Sequence, residues 1–218
     1  MKLSNRLQKI ANLVDIHDKI ADVGCDHAYL SIYLAENKLC EGIIATEVVE
    51  GPYNIALNNI KKYHLENKKN LYLTNGLENV DDEINTIIIA GMGANTMIKI
   101  LNNYKKINKI DKLIVQSNND WELLRRYLNE IGYYIEKEVY VYENKKDYIT
   151  IVAQRSNKKN TEIELVLGLY NDELKEFYNK QAKKLNTILN KISNTDDLNH
   201  IKIKEKINLL ENYIKQRI

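Results

Sequence analysis

Apolar residues follow strand spacing in several short runs along the first two thirds of the chain. Each run is bounded by polar or glycine-containing turns, which indicates a buried strand. The predicted strands are residues 19–23, 42–46, 70–74, 85–90 and 112–116. The run at 85–90 is apolar on both faces, as is typical of a central parallel strand.

Helical spacing precedes the first of these strands and follows most of the others. The predicted helices are residues 3–14, 28–36, 53–63, 94–102 and 121–131. Two later strands, 133–142 and 148–153, are joined by a polar stretch and indicate a hairpin. The predicted fold class is therefore α/β, a doubly wound Rossmann-like sheet whose parallel strands are closed by an antiparallel hairpin.

The pattern changes after residues 155–160 (RSNKKN), which contain no apolar residue. We therefore predict a domain over 1–156 and a helical hairpin of coiled-coil character over 157–218. In the first helix of this hairpin, apolar residues recur every seven positions, at Tyr178, Leu185 and Ile192. The second helix carries Ile203, Ile207, Leu210 and Ile214, and residues 194–197 separate the two helices. This appendage is either structural or dimerising, or it grips a substrate.

Composition narrows the class of protein. The chain has 218 residues, of which 44% are hydrophobic and 28% charged, so a packed core is expected. No apolar run spans a bilayer, the N-terminus has no signal core, and the two cysteines lack metal-site spacing. We expect a cytoplasmic protein without a metal. Net charge is −1 over 1–157 and +3 over 158–218, which permits a nucleic-acid partner without requiring one.

The turn after the first strand, residues 22–28 (DVGCDHA), carries the first candidate chemistry. Gly24 permits close backbone approach to a ligand, and Asp22 and Asp26 can hold a cationic one. The three glycines of a dinucleotide site are missing, whereas S-adenosylmethionine offers an ammonium and a sulfonium group. Alternatively, Gly24 makes only a tight turn, Asp26 caps a helix, and His27 belongs to the core.

Four further strand ends carry candidates of the same kind. Glu47 lies at the distance expected for an acid that accepts ribose hydroxyls, unless it is simply solvated. Asn75, Gly76 and Leu77 suit an adenine ring or a plain turn. The two glycines around Met92 let the backbone run close to a donor's methyl group. Polar residues 116–119 (QSNN) can pair with an adenine edge or cap helices.

Together these segments resemble the bacterial tRNA adenine-22 N1-methyltransferases. The resemblance is carried by residues 3–7 (LSNRL), 22–30 (DVGCDHAYL), 46–52 (TEVVEGP), 75–78 (NGLE), 89–94 (IAGMGA) and 116–118 (QSN). It runs in order over 1–155, and the helical appendage is also similar. The chain departs from the family at Cys25, Ala94 and Ser117, where Ser, Gly and Pro are common.

The resemblance implies a class I methyltransferase sheet, S-adenosylmethionine as cofactor, and methyl transfer to N1 of adenine 22 in the D-arm region of tRNA. We also expect a monomer whose C-terminal helices contact tRNA, and no membrane partner. The implied catalytic residues are His27, Tyr29, Met92, Gln116 and Asn118. The implied cofactor-binding residues are Arg6, Asp22, Gly24, Cys25, Asp26, His27, Glu47, Val48, Asn75, Gly76, Leu77, Ala90, Gly91, Met92 and Gly93.

Other functions remain open at this point. The acceptor could be another RNA or a protein, because the first 157 residues are not basic. A nicotinamide-dependent oxidoreductase is disfavoured by the missing glycines. A non-catalytic RNA-binding relative could retain the fold.

Overall fold

The computed structural model describes residues 1–65, 71–78, 80, 83–192 and 198–215. The chain divides into two compact units, Met1–Val166 and Leu167–Ile218. A single seven-stranded sheet forms the centre of the first unit. Its strands are β1 (Lys19–Val23), β2 (Gly42–Glu47), β3 (Leu71–Leu73), β4 (Thr86–Met92), β5 (Lys112–Ser117), β6 (Tyr133–Glu143) and β7 (Lys146–Arg155).

The strand order is β3-β2-β1-β4-β5-β7-β6. Strands β1 to β5 run parallel, and β7 pairs antiparallel with both β5 and β6. The predicted doubly wound sheet with a closing hairpin is confirmed; position 70 of the predicted third strand lies outside the described residues. Strand order reverses between β1 and β4, so a ligand is expected at the carboxyl ends of these two strands.

Helices cover the sheet at the predicted places. They are α1 (Asn5–Ala11), α2 (Tyr29–Glu36), α3 (Glu50–Lys62), α4 (Ala94–Asn103) and α5 (Trp121–Glu130). The core centres on the fully buried Ile87, Ile88 and Ile89 of β4. Helix α1 begins later than predicted because Ser4 caps it, its hydroxyl accepting from the amide of Leu7 at 3.3 Å.

The β6–β7 hairpin extends beyond the carboxyl edge of the sheet. The last residue of β5, Ser117, pairs with Ile149, whereas β6 and β7 continue pairing to Glu143 and Lys146. Asn144 and Lys145 form the turn in left-handed conformation, with φ of 50° and 62°, as a two-residue hairpin requires. The protruding part therefore stands beside the ends of β4 and β5.

The first unit ends later than the predicted boundary at 156. Asn160 is buried, accepting from the Ile135 amide at 2.8 Å and donating to the Ile135 carbonyl at 3.1 Å. A short helix that the sequence did not predict, α6 (Glu162–Leu167), follows, and its Glu162 forms an ion pair with Arg126 of α5. These contacts attach residues 157–166 to the sheet domain.

The second unit contains two long helices, α7 (Asp172–Leu189) and α8 (Leu198–Lys215). Tyr178 near the start of α7 and Tyr213 near the end of α8 are buried with ring centroids 5.9 Å apart, so the helices pair antiparallel. Their hydroxyls donate to the carbonyls of Leu169 and Gly168, respectively. The separating residues 194–197 and the Ile214 side chain lie outside the described part.

Candidate active site

A cavity of about 450 Å³ lies at the carboxyl ends of β1 and β4, which is in the size range of small-molecule sites. One wall consists of residues from the predicted cofactor set: Gly24, Val48, Asn75, Gly76, Leu77 and Met92. The opposite wall is α4, through Asn95, Thr96, Lys99, Ile100 and Asn103. The structure thus brings four separate predicted segments to one cavity at the point where strand order reverses.

The β1–α2 loop, residues 24–28, has an unusual backbone. Gly24, Asp26 and Ala28 all have left-handed conformation, with φ of 69°, 52° and 57°. The amides of Gly24 and Cys25 both donate to the Thr46 carbonyl, at 2.8 and 2.9 Å. For a non-glycine residue this conformation costs on the order of 1 kcal/mol, so the surroundings hold the loop in shape.

Gly24, in the turn after β1, packs closely against Met92, the last residue of β4. A β-carbon placed on Gly24 would lie 2.1 Å from the Met92 methyl carbon. A larger residue at position 24 would therefore displace Met92, which lines the cavity. The interpretation of Asp26 as a helix cap is wrong. Ala28 occupies the cap position of α2, without a side-chain hydrogen bond.

Two carboxylates are buried beneath this loop. Asp22 accepts from the Ser31 hydroxyl at 2.6 Å, and burial raises the pKa of its carboxyl to about 6. Glu47 accepts from the amides of Asp26, Val48 and Val49 at 2.9–3.0 Å. Within the described residues neither forms an ion pair. Buried negative charge without a cation suits a cationic ligand.

Cys25, His27 and Tyr29 occupy the rest of the loop and the start of α2. Burial raises the pKa of the Cys25 thiol above its ordinary value, so the thiol stays neutral. The His27 and Tyr29 rings meet edge to face at 5.5 Å, and Tyr29 is 42% exposed. Asn59 of α3 donates to the His27 carbonyl at 3.0 Å. This aromatic pair presents an open ring face near the glycine turn.

Arg6 lies at the ends of β4 and β5. Its Nη1 donates to Gln116 Oε1 at 2.8 Å, and a β-carbon on Gly91 would lie 3.7 Å from the same nitrogen. Gln116 is fully buried and donates from Nε2 to the Thr150 hydroxyl at 2.7 Å. Gln116 therefore orients Arg6 in this structure, and it does not reach the surface where a base contact was expected.

The loop after β5 holds the β4–α4 turn. Asn118 donates from its backbone to the Met92 carbonyl at 2.9 Å and from Nδ2 to the Gly91 carbonyl at 2.6 Å. Asn119 Oδ1 accepts from the Ala94 amide at the start of α4 at 3.2 Å. The helix-cap interpretation of this segment therefore applies to Asn119 and not to Asn118, although both side chains are exposed.

Comparisons with known proteins agree with this geometry. A family model described as "Methyltransferase domain" matches residues 3–151. The tRNA (adenine(22)-N(1))-methyltransferase of Bacillus subtilis (strain 168) is 34% identical over 160 residues, which are 72% of this chain and 67% of the relative. The chain belongs to the tRNA (adenine-22-N1)-methyltransferase family.

Solved structures of this family cover both units of the chain. M. capricolum TrmK, in complex with the cofactor product S-adenosyl-homocysteine, has a TM-score of 0.87 at 32% identity over 99% of each chain. The B. subtilis m1A22 tRNA methyltransferase TrmK has a TM-score of 0.82 at 27% identity, over 98% of this chain and 99% of that one. The helical appendage is thus within the shared fold.

Sequence reasoning missed two parts of this methyltransferase site. The first is the α4 wall, where Asn95, Lys99 and Asn103 recur every four residues. That spacing was visible, but it is also typical of an ordinary solvated helix face. The second is the hairpin, where Tyr148 lies under the Arg6 guanidinium with 5.4 Å to its ring centroid and Glu143 accepts from the Arg6 amide.

The residues that the structure describes present neither a cluster of metal ligands nor a candidate membrane-spanning helix. No group of three or more His, Cys, Asp and Glu side chains is placed to hold a metal ion. No helix combines the length and the hydropathy that crossing a membrane would take.

Proposed function

We propose that this chain is an S-adenosylmethionine-dependent methyltransferase that modifies N1 of adenine 22 in the D-arm region of tRNA. One observation supports this most strongly. The cavity at the strand reversal lies beside two buried carboxylates that no cation neutralises within the described residues. A relative that matches the chain over its whole length binds S-adenosyl-homocysteine.

The residues around the cavity fit this cofactor. Gly24 and Gly76 line the cavity in left-handed conformation, and Gly91, next to the lining residue Met92, has the same conformation. We assign the cofactor's cationic end to Asp22 and its ribose hydroxyls to Glu47, whose carboxylate retains acceptor capacity beyond three amides. Asn75 and the buried Leu77 would hold adenine. Cys25, Asp26, Val48, Ala90 and Gly93 complete the set.

The chemistry makes modest demands on the protein. When bound, S-adenosylmethionine supplies an electrophilic methyl group, and its transfer to N1 forms the N–C bond as the S–C bond breaks. N1 of neutral adenine already carries a lone pair, so no proton has to be removed. The chain's own work is to hold the base in line with the cofactor and to exclude water.

The acceptor side of the site would consist of Arg6, Tyr29 and Asn118, with Met92 between base and cofactor and His27 supporting Tyr29. N1 is occupied when adenine is paired, so the base has to leave the tRNA stack. The exposed Tyr29 ring offers a stacking surface for it. Gln116 acts through Arg6, to which its amide is bonded.

A methylation assay tests the proposal. The protein is incubated with labelled donor and an unmodified tRNA transcript, and the product is mapped by primer extension, which stops at N1-methyladenine. We expect one stop at position 22 and none in the same transcript carrying guanine there. Label in ribosomal RNA or protein instead would favour the other acceptors, and no transfer to any of them would favour a non-catalytic RNA-binding protein.

We further propose that the protein acts in the cytoplasm as a monomer, with residues 1–156 binding the cofactor and residues 157–218 contributing tRNA contacts. Lys183 and Lys184 are exposed on α7. Replacing both with alanine should weaken tRNA binding and reduce the slope of log affinity against log salt by about 1.5. Lys38→Ala with Lys109→Ala, two exposed lysines of the sheet domain, is the control. Equal effects of both pairs would make the appendage structural.

A further inference from the structure

We propose that Asn118 selects adenine over other bases by accepting a hydrogen bond from the 6-amino group of the target base. This inference rests on the proposed function. It assigns to Oδ1 of one exposed side chain the choice of base.

The first step is the position of Asn118. It follows β5, next to the strand that ends at the reversal point, and its backbone amide donates to the carbonyl of Met92 at 2.9 Å. Met92 lines the cavity. The Asn118 side chain is exposed. It therefore lies next to Met92, on the β5 side of the strand reversal and away from Glu47, to which we assign the ribose hydroxyls.

The second step is the orientation of its amide. Nδ2 lies 2.6 Å from the Gly91 carbonyl oxygen, which can only accept, so the nitrogen must face Gly91. Oδ1 consequently points elsewhere and has no donor among the described residues. Gly91 itself is skipped by the β4–β5 register, which pairs Ala90 with Gln116 and Met92 with Ser117. This bulge, with φ of 83°, turns the Gly91 carbonyl towards Asn118.

The third step is the chemistry of the base edge. Next to N1, adenine carries a 6-amino donor, whereas guanine carries the acceptor O6 and a hydrogen on N1. A fixed acceptor beside the cavity pairs with the amino group and repels O6. Because N6 and N1 are adjacent, the contact that selects the base also places N1 for reaction. Sites that hydrogen-bond a substrate group reject analogues that lack it.

The fourth step separates Asn118 from its neighbour. Asn119 caps α4 through Oδ1, which is a structural task, and that oxygen is already used. Asn118 uses only its nitrogen on the protein. Asn119→Ala is therefore a matched control, since it disturbs the same loop and leaves the Asn118 oxygen in place.

The experiment compares two tRNAs that carry, at position 22, either adenosine or the purine ribonucleoside without the 6-amino group. The kcat/KM for methyl transfer is measured on both for wild type, Asn118→Ala and Asn119→Ala. We expect Asn118→Ala to reduce the preference for adenosine over the purine substrate by about tenfold or more, because its kcat/KM falls further on adenosine than on the purine substrate. Asn119→Ala should keep the wild-type preference. The lower intrinsic reactivity of the analogue cancels in these ratios.

Two results would overturn this inference while leaving the proposed methylation at position 22 intact. An equal loss of kcat/KM on both substrates in Asn118→Ala would show that the residue only stabilises the loop. No loss of kcat/KM on either substrate would show that Asn118 does not contact the base. Failure of the wild-type protein to methylate adenine 22 would instead remove the proposed function, and this inference with it.

Discussion

Buried carboxylates lie at both edges of the sheet, but among the residues that the structure describes a cation pairs with them at one edge and not at the other. At the amino edge, Lys112 is buried and its ammonium lies 2.7 Å from Asp15 and 2.5 Å from Asp18. Asp18 also accepts from the Thr86 hydroxyl at 2.9 Å. At the carboxyl edge, Asp22 and Glu47 accept from backbone amides and a hydroxyl, and no cation pairs with them within the described part of the chain.

Buried charge at the amino edge therefore bears on the stability of the sheet, whereas buried charge at the carboxyl edge bears on ligand binding. At the amino edge the buried Asp18 carboxylate has the Lys112 ammonium beside it, so removal of that cation would destabilise the fold. The carboxyl edge keeps uncompensated charge, left-handed residues at Asp26 and Ala28, and a buried Thr46 hydroxyl without a partner in the described residues. Such unfavourable features persist where a ligand will compensate them.

The largest effect is expected at the amino edge. Lys112→Met leaves Asp18 buried without its cation, so the free energy of unfolding should fall by about 3–5 kcal/mol. Donor affinity of the folded fraction should not change. Urea unfolding and calorimetry with S-adenosylmethionine measure the two quantities.

The control for this variant is Lys19→Met. Lys19 starts β1 at the same edge, but its partners Glu41 and Glu83 are exposed. Its loss should lower the free energy of unfolding far less than the loss of Lys112, because exposed ion pairs contribute little. If Lys112→Met and Lys19→Met destabilise equally, the amino edge is not held by its buried ion pair.

The next effect is expected at the carboxyl edge, with the opposite signature. Asp22→Asn keeps the shape and the bond to Ser31 but removes the charge. We expect donor affinity to fall about 100-fold, on the order of 3 kcal/mol, with stability unchanged or raised. Asp15→Asn, which removes a mostly exposed amino-edge carboxylate, should leave donor affinity intact. Wild-type affinity in Asp22→Asn would refute the assignment of the cofactor's cationic end.

The smallest effect is a pH dependence. Because burial raises the pKa of the Asp22 carboxyl to about 6, its charged form disappears as pH falls below that value. Donor affinity should then fall by at most about tenfold per pH unit between pH 6 and 5, and level off above 7. In the absence of donor, lower pH favours the folded protein. The contribution of Asp22 to the free energy of unfolding increases as pH falls from about 6 towards the ordinary pKa of this carboxyl, 3.8.

Calorimetry at several pH values, with Asp22→Asn as the flat reference, checks the affinity part. A wild-type affinity that does not change between pH 5 and 7 would show that Asp22 does not titrate in this range. Urea unfolding of both proteins without donor checks the stability part.

Much of the fold was predictable because its signals are local. Apolar runs defined all seven strands, and the turn residues around Gly24, Asn75 and Gly91 marked the ligand edge. Helix α6 was missed because its six residues are too few to show a helical period. Their attachment to the sheet domain, through Glu162 and Arg126, joins residues far apart in the chain.

The site was predictable as a set of segments but not as a set of contacts. Gln116 is buried and forms hydrogen bonds with Arg6 and Thr150, each of which is more than 30 residues away in the chain. No local sequence pattern encodes such contacts. The division of labour between Asn118 and Asn119 depends on which carbonyl or amide each side chain meets. Adjacent identical residues cannot be distinguished by spacing.

The overhang of the β6–β7 hairpin has an evolutionary consequence. Beyond Ile149 its two strands pair only with each other, and they end in the turn at Asn144 and Lys145. Adding or removing a residue pair there would change how far the hairpin projects beyond β5, while every bond to β5 stays in place. The length of the hairpin can therefore change during evolution without refolding the sheet.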